Sequence, residues 1–285
     1  MPRPGLWSAR SMVDLPRVTS ASWPFPRGLD TAGTGWLARV PVTSLATLVG
    51  LLVVWEAAVR VLAVPPYLLP PPSRVAGTLV TRFPLIWPDA LVTFGEMVGG
   101  LLIGVAAGIG AALLMARTPL VERALGPILV VTQALPVFAI APLLVIWLGF
   151  GLASKLAMAA LIIFFPVSTT FLESLRRTDE NLLDLARLHG ASRRDILFLI
   201  RAPAAMPALG SGLRVAAAGA PIGAIIGEWV GSSSGLGLMM LHANARMQTD
   251  MVFAGLTVLV VFSIALWGAV GFLTRRLVFW APDTL

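Results

Sequence analysis

Residues 173–205 read ESLRRTDENLLDLARLHGASRRDILFLIRAPAA and form the one long polar segment between the apolar stretches of this chain. Asp179 stands where a helix N-cap is expected, and leucines recur behind it at helical spacing. Gly190 is a helix-stop residue, and Ser192 can cap the next helix. The segment therefore predicts a helix, a sharp turn and a second helix at a membrane surface, where its apolar face rests on lipid headgroups or enters a groove on a partner.

Apolar stretches on both sides of this segment are long enough to cross a bilayer, which takes about 20 residues per helix. Three prolines (Pro127, Pro136 and Pro142) interrupt the third stretch and predict that it bends or divides. The fold class expected is all-α, a polytopic membrane protein with about six transmembrane helices. The stretches lie near residues 43–64, 90–116, 121–149, 154–173, 206–231 and 250–273.

The composition excludes several classes of protein. Of 285 residues, 57% are hydrophobic and 12% charged, and the mean hydropathy of +0.87 favours lipid over water as the solvent. The net charge of +7 does not indicate nucleic-acid binding, because the basic residues lie between apolar runs and form no basic face with aromatics. With no cysteine and only two histidines, His189 and His242, neither a disulfide nor a metal centre is expected.

The distribution of arginine predicts the orientation. Most arginines fall in residues 1–42, in the 173–205 segment and in the other connections on that same side. The positive-inside rule therefore places both termini and the 173–205 segment in the cytoplasm. Residues 1–42 contain no apolar run long enough for a signal peptide and are interpreted as a cytoplasmic tail.

A family resemblance rests on the residues of the 173–205 segment. Their order resembles the EAA loop of binding-protein-dependent ABC importer permeases, which reads EAA, three residues, Gly, nine residues, then Ile-x-Leu-Pro. Three positions depart from it, with Asp for Glu, Leu for the first Ala and Ala for Leu. The corresponding residues are Asp184, Leu185, Ala186, Gly190, Ile200, Ala202 and Pro203.

The resemblance extends over residues 65–280. Three stretches are similar to the nitrate, sulfonate and taurine branch of these permeases. They read YLLPPPSRV (67–75), ALPVFAIAPLLVIWLGFG (134–151) and GEWVGSSSGLGLMMLHANARMQTD (227–250). The last is most similar to permeases that take up thiamine pyrimidine precursors (hydroxymethylpyrimidine).

This resemblance implies a non-catalytic transport subunit, in a bacterial inner membrane, that carries a small organic solute inward by alternating access. The solute expected is a thiamine pyrimidine precursor, with a sulfonate, taurine or nitrate as the alternative. Residues 43–89 would form the first transmembrane helix and an outer loop, and residues 90–280 the transport domain.

The expected partners are separate ABC ATPase subunits, an extracytoplasmic solute-binding protein, a second permease copy and the lipid bilayer. ATP is used by the ATPase, and no cofactor is expected here. The residues implied in coupling are Asp184, Leu185, Ala186, Arg187, Gly190, Ile200 and Pro203.

Residues of a translocation pathway are expected among polar and aromatic positions of the apolar stretches. An acidic group near a membrane edge tends to face a polar path, and a Trp can stack on a flat ring. Each candidate also has a plain alternative: interfacial anchoring for the Trp, solvation for the acid, and packing for Met. The candidates are Gln133, Glu228, Trp229, Ser233, Met239 and His242.

Two further motifs suggest enzymes. GFGLASKL (149–156) falls short of a P-loop because Ser154 and Leu156 replace required residues, and Lys155 is the only lysine, so the ATPase must be another polypeptide. GSSSG (231–235), with His242 a few residues away in a polar connector, leaves an intramembrane serine hydrolase as an alternative function, with Ser233 or Ser234 as nucleophile.

Overall fold

A computed structural model describes the backbone of residues 42–134 and 136–280 and the side chains of residues 44–131 and 136–280. The predicted tail, residues 1–42, therefore lies almost wholly outside the described part. The chain separates into two units, Met1–Gly50 and Leu51–Leu285, and the boundary falls within the first helix. The described residues form helices and the turns between them, which confirms the all-α fold.

The helices follow one another along the chain with short connections. They are α1 (Val42–Val61), α2 (Pro72–Thr81), α3 (Phe83–Arg117), α4 (Pro119–Ala134), α5 (Val137–Leu148), α6 (Leu152–Arg176), α7 (Glu180–Leu188), α8 (Arg193–Asp195), α9 (Ala202–Gly231), α10 (Leu236–Ala245) and α11 (Thr249–Leu277). A π-helical segment, Ile196–Arg201, joins α8 to α9.

Five helical runs among the described residues are long and apolar enough to cross a bilayer. The third expected span, residues 121–149, is divided, as its prolines predict: α4 ends at Ala134, and α5 begins after Pro136, whose backbone is extended. The second span begins at Phe83, earlier than expected, because Pro84 occupies the first turn of α3, where a missing N–H costs no hydrogen bond. The five runs are Ser44–Val61, Phe83–Arg117, Leu152–Arg176, Arg193–Gly231 and Thr249–Leu277.

Helix α6 packs between α3 and α9 and carries much of the hydrophobic core. Ile163, Val167 and Leu175 of α6 are fully buried there. The glycines at every fourth position of α3 face α6: a Cβ on Gly104 would lie 2.7 Å from Ile163 Cγ2 and 2.8 Å from the Ala160 carbonyl oxygen. Small residues thus let the two helices approach closely.

We expect Gly104→Val to disrupt this interface. The added side chain meets backbone as well as side chain on α6, so the helices must separate, at about 1–3 kcal/mol or more for overpacking of this kind. Thermal unfolding of the purified protein in detergent measures the loss. Gly110→Val, on the same helix, is the matched control, because a Cβ there meets nothing within 4 Å. Equal unfolding temperatures for the two variants would contradict the close approach.

Candidate functional site

Helix α7 is defined by the capping residues that the sequence suggested. The Asp179 carboxylate accepts the backbone N–H of Asn181 at 3.0 Å, which satisfies one of the free donors of the first turn. At the other end, Gly190 has φ +79°, a left-handed conformation that favours glycine. The Ala191 N–H donates to the Ala186 carbonyl and the Gly190 N–H to the Arg187 carbonyl, both at 3.0 Å. These two bonds form a Schellman motif and end the helix.

The surface of α7 carries an exposed row of leucines. Leu183 is fully buried and attaches the helix to the rest of the protein. Leu182, Leu185 and Leu188 are exposed by 45%, 53% and 84%, and their spacing of three places them along one side of the helix. We call these three residues the leucine ridge. A ridge of large apolar side chains on a short polar helix is typical of a contact surface for another molecule.

Polar groups lie beside the leucine ridge. The side chains of Asp184 and Arg187, which the family resemblance implied in coupling, are exposed, and within the chain they bind each other at 2.6 Å. A Cβ on Gly190 would have nothing within 4 Å, so open space surrounds the turn. Conformation, rather than packing inside this chain, therefore accounts for glycine at this position.

The second helix after the turn differs from the expected surface helix. Ser192 and Asp195 form a reciprocal capping box at its start, as the Ser192 position suggested. The helix then does not end: it continues through the π-helical segment into α9, giving one run from Arg193 to Gly231. Ile200 is half-buried in the π-helical segment, and Pro203 lies exposed in the first turn of α9. The π-helical segment directly before Pro203 lets the helix continue past a residue that lacks a backbone N–H.

A buried ion pair lies at the opposite end of the core helices. The Lys155 ammonium in the first turn of α6 binds the Glu96 carboxylate of α3, and both side chains are at most 5% exposed. Lys155 also donates to the Ser232 hydroxyl at 2.9 Å, in the loop after α9. About 20 residues of α6 separate Lys155 from α7, which is about 30 Å at 1.5 Å per residue.

Glu228 extends this cluster. It is fully buried, accepts the Thr93 hydroxyl at 2.6 Å, and accepts the Gly237 N–H at the start of α10. The Thr93 hydroxyl in turn accepts the Leu236 N–H at 2.8 Å. Side chains from α3 and α9 thus satisfy two of the free donors of the α10 N-terminus.

Gly235, the residue just before α10, also contacts these polar side chains. Its φ is +120°, its N–H donates to the Asp89 carboxylate at 2.9 Å, and a Cβ there would collide with the Glu228 carboxylate. We call Asp89, Thr93, Glu96, Lys155 and Glu228 the polar cluster. Of its members, the sequence indicated only Glu228 as a candidate. The signal for the others was a lysine and acids next to or within apolar stretches, where such groups are costly and tend to be paired.

The pathway candidates lie in different surroundings. Ser233, Met239 and His242 line one cavity of about 600 Å³ beside α10, together with Arg74, Arg82 and Arg246. Glu228 is buried in the polar cluster instead. Trp229 is 45% exposed beside Ile222 and Ile225 in an apolar groove, and its indole N–H donates to the Gly237 carbonyl at 3.1 Å. The side chain of Gln133 lies outside the described residues.

The two enzyme motifs have structural explanations. Lys155 of the P-loop-like stretch is buried against Glu96, so it is not free to bind a phosphate. In the serine-rich loop, the Ser232 hydroxyl accepts the Ser234 N–H at 3.1 Å as well as Lys155. Among the hydrogen bonds of the described residues, none joins the His242 ring to Ser233 or Ser234. His242 lies on α10, a helix and not the connector that was expected. Nothing here supports the hydrolase alternative.

Comparison with known proteins finds a transport family and relatives that are named as permease proteins. Residues 100–279 match the family model of the binding-protein-dependent transport system inner membrane component. A probable ABC transporter permease protein of Haemophilus influenzae is 46% identical over 80% of this chain and 93% of its own length. The riboflavin transport system permease RibX of Chloroflexus aurantiacus is 35% identical over 82% and 88%. The formylaminopyrimidine transport permease ThiX of Halalkalibacterium halodurans is 34% identical over 78% and 87%.

Solved structures agree on the fold. An amino acid ABC transporter solved with histidines superposes with a TM-score of 0.55 at 15% identity, over 70% of this chain and 97% of that one. Five membrane-crossing runs, the helical fold and a family model that covers more than half of the chain agree with one another. The chain belongs to the binding-protein-dependent transport system inner membrane component family, the multi-pass permease subunits of ABC importers.

Proposed function

We propose that this permease is coupled to a separate ATPase subunit through α7, with the leucine ridge, Ala186 and the Gly190 turn as the contact. The observation that carries the proposal is the leucine ridge, because three large apolar side chains stand exposed on a well-capped polar helix at one end of the bundle. A partner that covers them gains the hydrophobic free energy that this chain leaves unused. Asp184 and Arg187 can then exchange their mutual pair for charges on the partner.

The continuous run Arg193–Gly231 supports a path by which movement at α7 reaches the other end of the bundle. Movement of α7 and its turn displaces the start of this run. Because the run is one continuous helix, the displacement reaches its other end, in the polar cluster; we call the run Arg193–Gly231 the helical lever. Because α9 packs along α6, and α6 along α3, the three helices reorient together. Two copies would pair around the translocation path and alternate between inward and outward states, with both termini in the cytoplasm.

We propose a nitrogen heteroaromatic compound as the solute, and a thiamine pyrimidine precursor in particular. The support is the identity to permeases for riboflavin (35%) and formylaminopyrimidine (34%), against 30% to the taurine permease TauC of Escherichia coli. A solute-binding protein would deliver the solute to the outer end. Titration of that protein with pyrimidines and sulfonates, followed by ATPase stimulation in vesicles, distinguishes the two classes.

A single-cysteine experiment tests the coupling and the orientation. The chain contains no cysteine, so Leu188→Cys introduces its one thiol at the most exposed position of the leucine ridge. In vesicles of known sidedness, we expect a membrane-impermeant maleimide to label it only from the cytoplasmic side. A bifunctional cross-linker should join it to the ATPase subunit of the assembled transporter.

Ser233→Cys is the matched control, since Ser233 is exposed at the other end of the bundle. It should be labelled only from the outside and should not be cross-linked to the ATPase. Labelling of Leu188→Cys from the outside would overturn the orientation. Labelling from the cytoplasm without cross-linking, in an assembly that still hydrolyses ATP, would overturn the role of α7.

A further inference from the structure

A second cavity, of about 860 Å³, lies between the α3–α4 turn and the segment that follows Gly190. We call it the arginine cavity, because five arginines line it and no Asp or Glu is among the described residues of its wall. The lining residues used below are Arg117, Arg193, Arg194 and Arg201. The fifth arginine, Arg187, is already paired with Asp184.

Within the described part of the chain, the nearby carboxylates are engaged elsewhere and do not balance the charge of the arginine cavity. The nearest acidic group along the segment, Asp195, is engaged in the capping box with Ser192. On the α4 side, Glu122 binds Arg176. Arg201 carries a buried Nε without a hydrogen-bond partner. Guanidinium groups gathered around an open space without carboxylates form a site for an anion, and their planar forks fit phosphate oxygens best.

The position of the arginine cavity relative to the bilayer identifies the kind of phosphate. The run Arg193–Gly231 has 39 residues and α3 has 35, about 58 and 52 Å at 1.5 Å per residue. A hydrocarbon core of about 30 Å cannot hold either in full, and the arginine at the end of one and the arginine at the start of the other favour the headgroup region over hydrocarbon for the ends that meet at the cavity. Arg117 is the last residue of α3, and Arg193 is the first of the run.

Apolar side chains next to the arginine cavity are exposed. Leu120 follows the α3–α4 turn and is 75% exposed, and Phe198 and Leu199 of the π-helical segment are 52% and 72% exposed. A free phosphate ion would gain nothing from them, whereas a lipid acyl chain below its headgroup would cover them.

We propose that the arginine cavity binds the phosphate of an anionic phospholipid of the cytoplasmic leaflet, so that a lipid joins the α3–α4 turn to the segment that leads from α7 into α9. The leaflet rests on the orientation given under the proposed function, while the binding itself does not. A lipid in this place would hold the start of the helical lever and adjust its movement to the anionic lipid content of the membrane.

The test measures binding of fluorescent phosphatidylglycerol to the full-length permease in detergent micelles, without the ATPase. In the triple variant Arg117→Gln/Arg193→Gln/Arg194→Gln we expect the affinity to fall about tenfold or more, since each arginine contributes to attraction of an anionic headgroup. The matched control Arg177→Gln/Arg275→Gln/Arg276→Gln removes the same charge from the same end, outside the arginine cavity, and should change the affinity less than about threefold. Zwitterionic phosphatidylcholine should bind equally weakly to all three proteins.

Each other outcome overturns the proposal. Equal losses in the two triple variants would mean non-specific charge attraction, and displacement of the lipid by inorganic phosphate at equal concentration would mean a site for soluble anions. Full displacement by the purified ATPase subunit would assign the cavity to that partner. Should the triple variant elute as aggregate, the single variant Arg117→Gln gives the same comparison against Arg275→Gln. Because the measurement needs neither sidedness nor ATPase coupling, its failure is separate from failure of the Leu188→Cys experiment.

Discussion

Lys155→Met should be the most damaging single substitution among the polar residues of this permease. Methionine is close to lysine in volume, so the variant leaves little cavity but strands the Glu96 carboxylate in a buried site with no opposite charge. Removing one partner of a buried ion pair costs about 3–5 kcal/mol. Ser232 loses its lysine donor as well, which loosens the loop after α9. Thermal unfolding in detergent and the yield of monodisperse protein measure the effect.

A second substitution distinguishes the ion pair from simple packing. Glu96→Gln combined with Lys155→Met removes both charges of the pair, and we expect the double variant to recover a large part of the lost stability, because the Glu96 carboxylate is no longer left without its partner. Arg177→Met is the matched control: its pair with Glu173 is 3.8 Å long and mostly exposed, so its loss should cost less than about 1 kcal/mol. A Lys155→Met protein as stable as this control would show that the buried pair contributes nothing.

The parts of the fold that follow from local chemistry could be predicted from the sequence. Asp179 and Ser192 cap helices because their short side chains reach nearby backbone N–H groups, and Gly190 ends α7 because it adopts a positive φ without strain. Pro136 divides the third stretch for the equally local reason that proline lacks an N–H. Hydrophobic length alone predicted the membrane-crossing runs.

The polar cluster could not be predicted in the same way. Thr93 and Glu228 are 135 positions apart, and Lys155 and Ser232 are 77 apart, so their contacts exist only once α3, α6 and α9 are packed. A single sequence contains no signal for which acid meets which base. The continuity of the helix from Arg193 to Gly231 was missed for another reason. The sequence analysis separated the polar segment 173–205 from the apolar stretch 206–231, whereas the π-helical segment carries one helix from the first into the second.

Gly190→Trp should abolish ATP-driven uptake while the permease remains folded and in the membrane. The turn lies in open space within the chain, so a bulky side chain meets no atom of the permease itself. The positive φ adds a strain of about 1–2 kcal/mol, which weakens the turn without unfolding the transmembrane helices. In the coupling that we propose, the indole would instead project into the ATPase surface that contacts the leucine ridge. Solute uptake and ATPase activity of the assembled transporter in vesicles measure the result.

Gly190→Asn separates the two possible causes. Asparagine tolerates the left-handed conformation and is much smaller than tryptophan, so this variant should keep the Schellman motif and most of the uptake. If bulk at the partner contact is the cause, Gly190→Trp loses transport while Gly190→Asn retains it. If both variants transport normally at normal membrane levels, the turn does not lie against the ATPase, and the coupling proposed for α7 is wrong. If both lose transport equally, the backbone conformation at Gly190 matters and not the space around it, and the partner contact must then be sought along the leucine ridge alone.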